Sequence, residues 1–286
     1  LRTVEKWTVL KALQTLTQAL KEGGIESARL EAEVFLCHVL GVSKAELYTH
    51  PQRELKPEEL LVLREMTKRR IEREPLAYIL GEKEFWSLKL KVTPDCLIPR
   101  PETELLVEEG LRLLPELPKP WKFLDIGTGC GAIAIALAKE VPQAEVWATE
   151  RSPYAIRVAE ENVKAYGLEG RVRLCLEDLF PQEGGFSLIA SNPPYVPTEE
   201  IFALPPEVKD YEPIEALDGG ADGLQVIRRI VQGAPSYLRE GGWLLIEVGY
   251  GQADVVRGLF EGRGFSRVEV LKDYAGLKRV VKGKWG

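Results

Sequence analysis

Over the first 75 residues, apolar side chains recur every three or four positions. Val4, Trp7, Leu10, Leu13, Leu16 and Leu20 keep that spacing up to Gly23-Gly24, which predicts an amphipathic helix capped by Thr3. Ser27 and Gly41 bracket a second helix over Ala28 to Leu40, and Ser43 opens a short third. Pro57 suits the first turn of a fourth that runs to about Arg73, before Pro75. Short connections between such segments predict a small antiparallel bundle. From Tyr78 the rhythm changes: Leu88-Lys89-Leu90-Lys91-Val92 alternates apolar and charged residues, the pattern of a strand in a hairpin. Pro94, Pro99 and Pro101 punctuate a loop before a helix at about Glu102 to Leu114.

Beyond Pro120, strand and helix patterns alternate. Strands are predicted at 121–126, 144–149, 172–176, 186–191 and 243–248, with helices at 131–140, 153–166, 224–237 and 252–261 between them. Two last strands, near 266–271 and 277–282, are close enough to form a hairpin. This predicts an α/β fold: a doubly wound, mostly parallel seven-stranded sheet with one antiparallel edge, behind a helical bundle. The expected domains are a bundle at 1–75, a hairpin-bearing linker at 76–95 and the sheet domain at 96–286.

Composition narrows the classes. The 286 residues carry 38 Lys and Arg against 44 Asp and Glu, and the deficit of six positive charges lies entirely beyond residue 75. A protein gripping nucleic acid over a large footprint would show a basic excess, so no stable nucleic-acid partner is expected. The basic run Arg64, Lys68, Arg69, Arg70 and Arg73 reads as a solvated face. Four scattered cysteines and two histidines offer no metal-ligand spacing, so no metal is expected. No apolar run reaches the ~18 residues of a membrane span, and charges interrupt the first 20 residues. The expected location is the cytosol, away from membranes.

Two segments carry chemistry. Asp125-Ile126-Gly127-Thr128-Gly129-Cys130-Gly131 joins the first strand of the sheet to its helix. Glycines there allow a sharp turn and close approach of backbone to a ligand, which suits either a dinucleotide or S-adenosylmethionine. Asp125 before the glycines favours the second, because a carboxylate can steer an ammonium group directly or through water. A pyrophosphate loop gains nothing from it. Glu150, at the end of the second strand, can accept ribose hydroxyls, and Asp178 can accept an adenine amine. The second segment, Asn192-Pro193-Pro194-Tyr195, follows the fourth strand and holds one of only two asparagines in the chain. Prolines stiffen this backbone, so the Asn192 amide oxygen and the Pro193 carbonyl can receive both hydrogens of one planar NH2, with Tyr195 packed against it.

These motifs resemble those of class I S-adenosylmethionine-dependent methyltransferases acting on amino groups. Three longer strings, Tyr78 to Trp86, Leu97 to Glu104 and Glu212 to Leu224, resemble one family, the release factor glutamine methyltransferases (HemK/PrmC), and the likeness spans nearly the whole chain. The resemblance implies methyl transfer from S-adenosyl-L-methionine, leaving S-adenosyl-L-homocysteine, to the glutamine amide nitrogen of the Gly-Gly-Gln motif in class I peptide chain release factors. It implies that Gly127, Thr128, Gly129, Cys130 and Gly131 cradle the methionine part of the cofactor, with Asp125 also binding the cofactor, and that Glu150 holds the ribose. Asp178 and Leu179 would flank the adenine, with Asn192 also at the cofactor. Asn192, Pro193, Pro194 and Tyr195 would hold the glutamine, and the bundle would dock the release factor. Glu150 and Leu179 depart from the Asp and the aromatic residue common at those places. The open alternatives are a ribosomal-protein glutamine, an exocyclic adenine amine in nucleic acid, an NAD-dependent oxidoreductase and a non-catalytic cofactor-binding adaptor.

Overall fold

The computed structural model describes residues 6–286, which divide into two compact units that meet in sequence between Gly81 and Glu82. The first unit holds α1 (Val9–Glu22), α2 (Ala28–Leu40), α3 (Lys44–Thr49), α4 (Pro57–Ile71) and α5 (Leu76–Leu80). The predicted Thr3 cap and the Val4 position lie outside the described residues. Helix α1 starts at Val9, and Thr8 Oγ1 accepts from Lys11 N at 3.3 Å. Its buried stripe is therefore Val9, Ala12, Leu13, Leu16 and Leu20, while Leu10 is 40% exposed. The predicted stripe holds from Leu13 onward, and Leu10 lies outside it. Ser43 and Glu46 form a reciprocal capping box, each receiving the other's backbone N–H. Gly41, in the left-handed region at φ 62°, closes α2.

The basic run on α4 is not wholly solvated. Arg70 is 8% exposed and its Nε lies 2.7 Å from Glu31 Oε2 of α2, a buried pair between helices. Arg69 clasps Glu74 with two nitrogens. Residues 76–80, expected in a linker, form α5, whose Ile79 joins the bundle core.

The second unit opens with a hairpin, β1 (Glu82–Phe85) and β2 (Leu88–Lys91), turned by Trp86 and Ser87 at φ 52° and 57°. Then follow α6 (Glu104–Arg112), β3 (Lys122–Ile126), α7 (Ala132–Glu140), β4 (Glu145–Glu150), α8 (Ala155–Ala165), β5 (Val172–Leu176) and β6 (Phe186–Ser191). After α9 (Pro206–Lys209) come α10 (Gln225–Gly233), β7 (Leu238–Glu247), α11 (Ala253–Arg263), β8 (Ser266–Lys272) and β9 (Lys278–Lys284).

The seven strands run in the order β5-β4-β3-β6-β7-β9-β8, parallel as far as β7 and antiparallel at β9 and β8. Central strands are apolar on both faces because helices cover both. Phe123, Leu124 and Ile126 of β3, for example, are 0–1% exposed. Leu124, Ile126, Ile189, Leu244 and Ile246 share one core with α10 and α11. On the other face α6 approaches so closely that a Cβ at Gly110 would stand 3.0 Å from Leu188. The chain leaves β3 in one direction, through β4 to β5, then returns to β6 on the other side. Loops leaving β3 and β6 therefore part over a crevice, the usual ligand position in open sheets of this kind.

Candidate active site

Register sets the floor of that crevice. Ile126 pairs with Thr149 on one side and with Ser191 on the other, and Ser191 pairs with Ile246. The glycine loop, Glu150, Asn192 and Glu247 thus emerge at one level. Gly127, Gly129, Glu150 and Asn192 border a cleft of about 820 Å³, counted with its open mouth, while Glu247 stays buried behind it. Ile126, Gly127, Gly129, Glu150, Asp178, Leu179, Asn192, Pro193 and Pro194 line it.

Gly127, Gly129 and Gly131 all have positive φ, at 70°, 56° and 90°. Their surroundings differ. A Cβ at Gly127 or Gly129 would meet no atom within 4 Å, so both faces are open to the cleft, whereas one at Gly131 would meet Ile135 Cδ1 at 3.0 Å and Ala159 Cβ at 3.5 Å. The first two glycines keep space for a ligand; the third lets α7 pack against α8. The N–H groups of Gly127 and Thr128 donate to the Thr149 carbonyl, and that of Gly129 donates to Glu150 Oε2 at 3.0 Å. Ser152 N holds the other Glu150 oxygen at 2.9 Å, so the carboxylate has one fixed orientation.

Asp125 lies beneath the glycine loop. It is 0% exposed and does not border the cleft, so direct contact with a ligand there is closed to it. Its Oδ2 accepts from Thr128 Oγ1 at 2.5 Å and from Ala134 N at 3.1 Å, which ties the loop to the first turn of α7. As a residue of a central strand, it points beneath the loop and not out of the strand's end. Burial pushes its carboxyl up to about 7, although both hydrogen bonds favour the ionised form. The side chains of Thr128 and Cys130 are buried too, and neither residue borders the cleft. Asn162, the other asparagine, donates to the carbonyls of Cys130 and Lys91 and so fastens the loop to β2.

Asp178 lies in the cleft wall but is already paired, with Arg229 Nη2 of α10 at 2.6 Å. Leu179 sits at φ 70°, a conformation unusual for leucine, and Thr149 Oγ1 holds its carbonyl at 2.7 Å. Tyr195 does not border the cleft; it packs against the core beneath α10 and α11 and its hydroxyl faces Glu247 Oε1 at 3.4 Å. Burial and the neighbouring Glu247 carboxylate push its phenol up.

Several residues of the site carried no sequence signal of their own. Asp95, Cys96 and Leu97 form one wall, and Pro213, Glu215 and Ala216 another. Arg100 joins these walls through Glu212, at 2.5 Å. Their strings were visible in sequence only as resemblance. Asp95, Glu150, Glu177, Asp178 and Glu215 outnumber Arg151 and Arg229, which leaves the cleft acidic and suited to a cationic ligand.

A seven-stranded sheet of this order, with a glycine loop at its switch point, defines a class I methyltransferase fold. Residues 11–81 match the family model described as PrmC N-terminal domain, and residues 104–203 match the methyltransferase small domain. The chain is 48% identical over 284 residues to a release factor glutamine methyltransferase of Geobacter sulfurreducens, covering 99% of this chain and 98% of that protein. It is 40% identical over 283 residues to one from Coxiella burnetii, covering 98% and 99%. The chain belongs to the release factor glutamine methyltransferase family. A solved methyltransferase from Pyrococcus furiosus shares the fold, with a TM-score of 0.52 at 20% identity over 78% of this chain and 98% of that one. Among the described residues, no helix is long and apolar enough to cross a membrane.

Proposed function

We propose that this enzyme transfers the methyl group of S-adenosyl-L-methionine to the side-chain amide nitrogen of the glutamine in the Gly-Gly-Gln motif of class I peptide chain release factors. One observation carries the reading. Among the described residues the Asn192 amide oxygen and the Pro193 carbonyl accept no hydrogen bond, and both residues border the cleft that the glycine loop and Glu150 also border.

The residues present fit the cofactor. The open faces of Gly127 and Gly129 would receive its amino-acid part, Glu150 its ribose hydroxyls, and Asp178 and Leu179 its adenine. Asp125 supports the loop from below by holding Thr128 and the first turn of α7. When bound, S-adenosyl-L-methionine supplies an electrophilic methyl group on a sulfonium, and S-adenosyl-L-homocysteine is what remains.

An amide nitrogen is a poor nucleophile because its lone pair is shared with the carbonyl. Asn192 and Pro193 counter this by accepting both of its hydrogens, which fixes the nitrogen and favours the pyramidal geometry. Pro194 denies the segment an N–H that would compete, and Tyr195 anchors the tetrapeptide to the core. No histidine lies between residues 82 and 286, so no imidazole base is at hand. None is required, since an N-alkylated, cationic amide is a strong acid and gives its proton to water. The N-terminal unit docks the release factor, and the enzyme acts in the cytoplasm without a stable nucleic-acid partner.

Mass spectrometry of a release factor incubated with enzyme and cofactor tests this. The expected result is one added methyl on the glutamine of Gly-Gly-Gln and none when that glutamine is replaced. Methylation of a ribosomal protein or an adenine in its place would overturn the reading.

A further inference from the structure

A primary amide has an accepting end and a donating end of nearly the same shape, and half a turn about its last bond exchanges them. The role proposed for Asn192 needs the oxygen towards the cleft. Reversed, the side chain would offer hydrogens to a substrate NH2 that has no lone pair to spare. Something behind Asn192 has to distinguish the two ends.

The structure places a one-way chain there. Asn192 Nδ2 lies 3.0 Å from Thr103 Oγ1, and Thr103 Oγ1 lies 2.7 Å from Glu247 Oε2. Thr103 ends the short 3-10 turn Pro101–Thr103 and is 4% exposed. Glu247 ends β7, one residue past the Ile246–Ser191 pair, and is 1% exposed. A hydroxyl has one hydrogen, and an ionised carboxylate can only accept. Thr103 must therefore give its hydrogen to Glu247, which leaves only lone pairs for Asn192. The end of the amide that meets Thr103 has to be the NH2.

We infer that Thr103 and Glu247 are positioning residues: the buried carboxylate orients the threonine hydroxyl, and the hydroxyl orients the Asn192 amide so that its oxygen faces the cleft. This rests on the role proposed above for Asn192 and deepens it. It also gives a physical reason for choosing glutamine over glutamate, since an accepting oxygen held in place attracts an NH2 and repels a carboxylate.

The chain needs Glu247 ionised. Two hydroxyl donors, Thr103 and Tyr195, and the Arg279 guanidinium of β9 favour that form, while burial and the Glu102 carboxylate oppose it. Burial prevails and pushes the group up to about 7, so the chain is fully one-way only above neutral pH. A glutamine at 247 would both donate and accept, and would lose the direction while keeping the shape.

The test uses the full-length chain at pH 8 with three variants, Thr103→Val, Thr103→Ser and Glu247→Gln. Leaving the Asn192 NH2 against a methyl group forfeits a hydrogen bond at a partly buried group, on the order of tenfold or more in kcat for Thr103→Val. Thr103→Ser keeps the hydroxyl and is expected within about threefold of the parent. Glu247→Gln is expected between them, and all three should bind S-adenosyl-L-homocysteine as the parent does.

A second measurement needs no substrate. With only Asn162 and Asn192 in the sequence, asparagine-selective 15N labelling yields two side-chain NH2 signals. The Asn192 pair is expected to shift in Thr103→Val and Glu247→Gln and to stay near its place in Thr103→Ser, while the Asn162 pair stays put and reports that the fold is intact. An unmoved Asn192 signal in Thr103→Val overturns the inference, whether or not kcat falls. If the parent enzyme fails to methylate release factor, the functional reading fails by itself, and these spectra still decide the orientation.

Discussion

Replacing Gly129 by alanine separates a ligand cradle from a mere turn. The residue sits at φ +56°, and a Cβ there meets no protein atom within 4 Å. The substitution therefore costs the protein only its backbone strain, about 1–2 kcal/mol for an L-residue in the left-handed region. Gly167, just past α8, provides the matched control, with φ +64° and equally open space. In a protein of this size each kcal/mol lowers Tm by ~2–4 °C, so both variants should melt about 2–8 °C early. Only Gly129→Ala also sets a methyl group in the space proposed for the cofactor. Its binding of S-adenosyl-L-homocysteine should weaken more than about tenfold, a loss above 1.4 kcal/mol. Gly167→Ala should bind as the parent does. Titration calorimetry and thermal melts of the two variants read both quantities. Equal, parent-like affinity in both variants would refute the cradle.

Asn192→Ala should lower kcat on the order of 100-fold or more, because one of two acceptors on the reacting amide is lost, with cofactor affinity nearly intact; near-normal turnover would reject its role. Arg70→Ala strands Glu31 inside the helical unit, and breaking a buried pair of this kind costs about 3–5 kcal/mol, a loss that urea unfolding followed by circular dichroism should resolve. Asp125 binds its proton more tightly folded than unfolded, since burial raises its carboxyl to about 7. Its contribution to stability is thus complete below the ordinary aspartate range and is lost as pH rises towards 7. Asp125→Asn should remove that slope, so that its stability relative to the parent improves from pH 4 to pH 8 in urea titrations. A difference independent of pH would contradict the assignment.

The repeating β–α units were legible because β3, β4 and β6 are mostly apolar segments bounded by turn or charged residues, and α8, α10 and α11 carry a helical period of buried positions. The start of helix α3 was legible, since Ser43 caps it locally. What stayed hidden depends on partners far along the chain. The start of α1 is set by Thr8, whose hydroxyl caps Lys11 N and whose backbone pairs with Glu54, 46 residues away. The burial of Arg70 follows from Glu31, 39 residues away. Helix α5 and the short helices between 198 and 216 lie among prolines, too short to show a period. In the site, the glycine loop and the Asn-Pro-Pro-Tyr segment announce themselves by local backbone demands. Thr103 and Glu247 do not, because they are 144 residues apart and meet only through the register of β6 and β7 and the turn before α6. Asp125 is a related case: Ile126 and Gly127 after it border the cleft, but its own side chain is buried and ties Thr128 to Ala134.

The most direct test is a crystal structure of the enzyme with S-adenosyl-L-homocysteine and a peptide containing Gly-Gly-Gln. The glutamine amide nitrogen should lie within hydrogen-bond distance of both Asn192 Oδ1 and the Pro193 carbonyl, with the thioether sulfur on its open side. A glutamine bound away from those two oxygens, or a thioether outside the cleft between β3 and β6, would contradict the account.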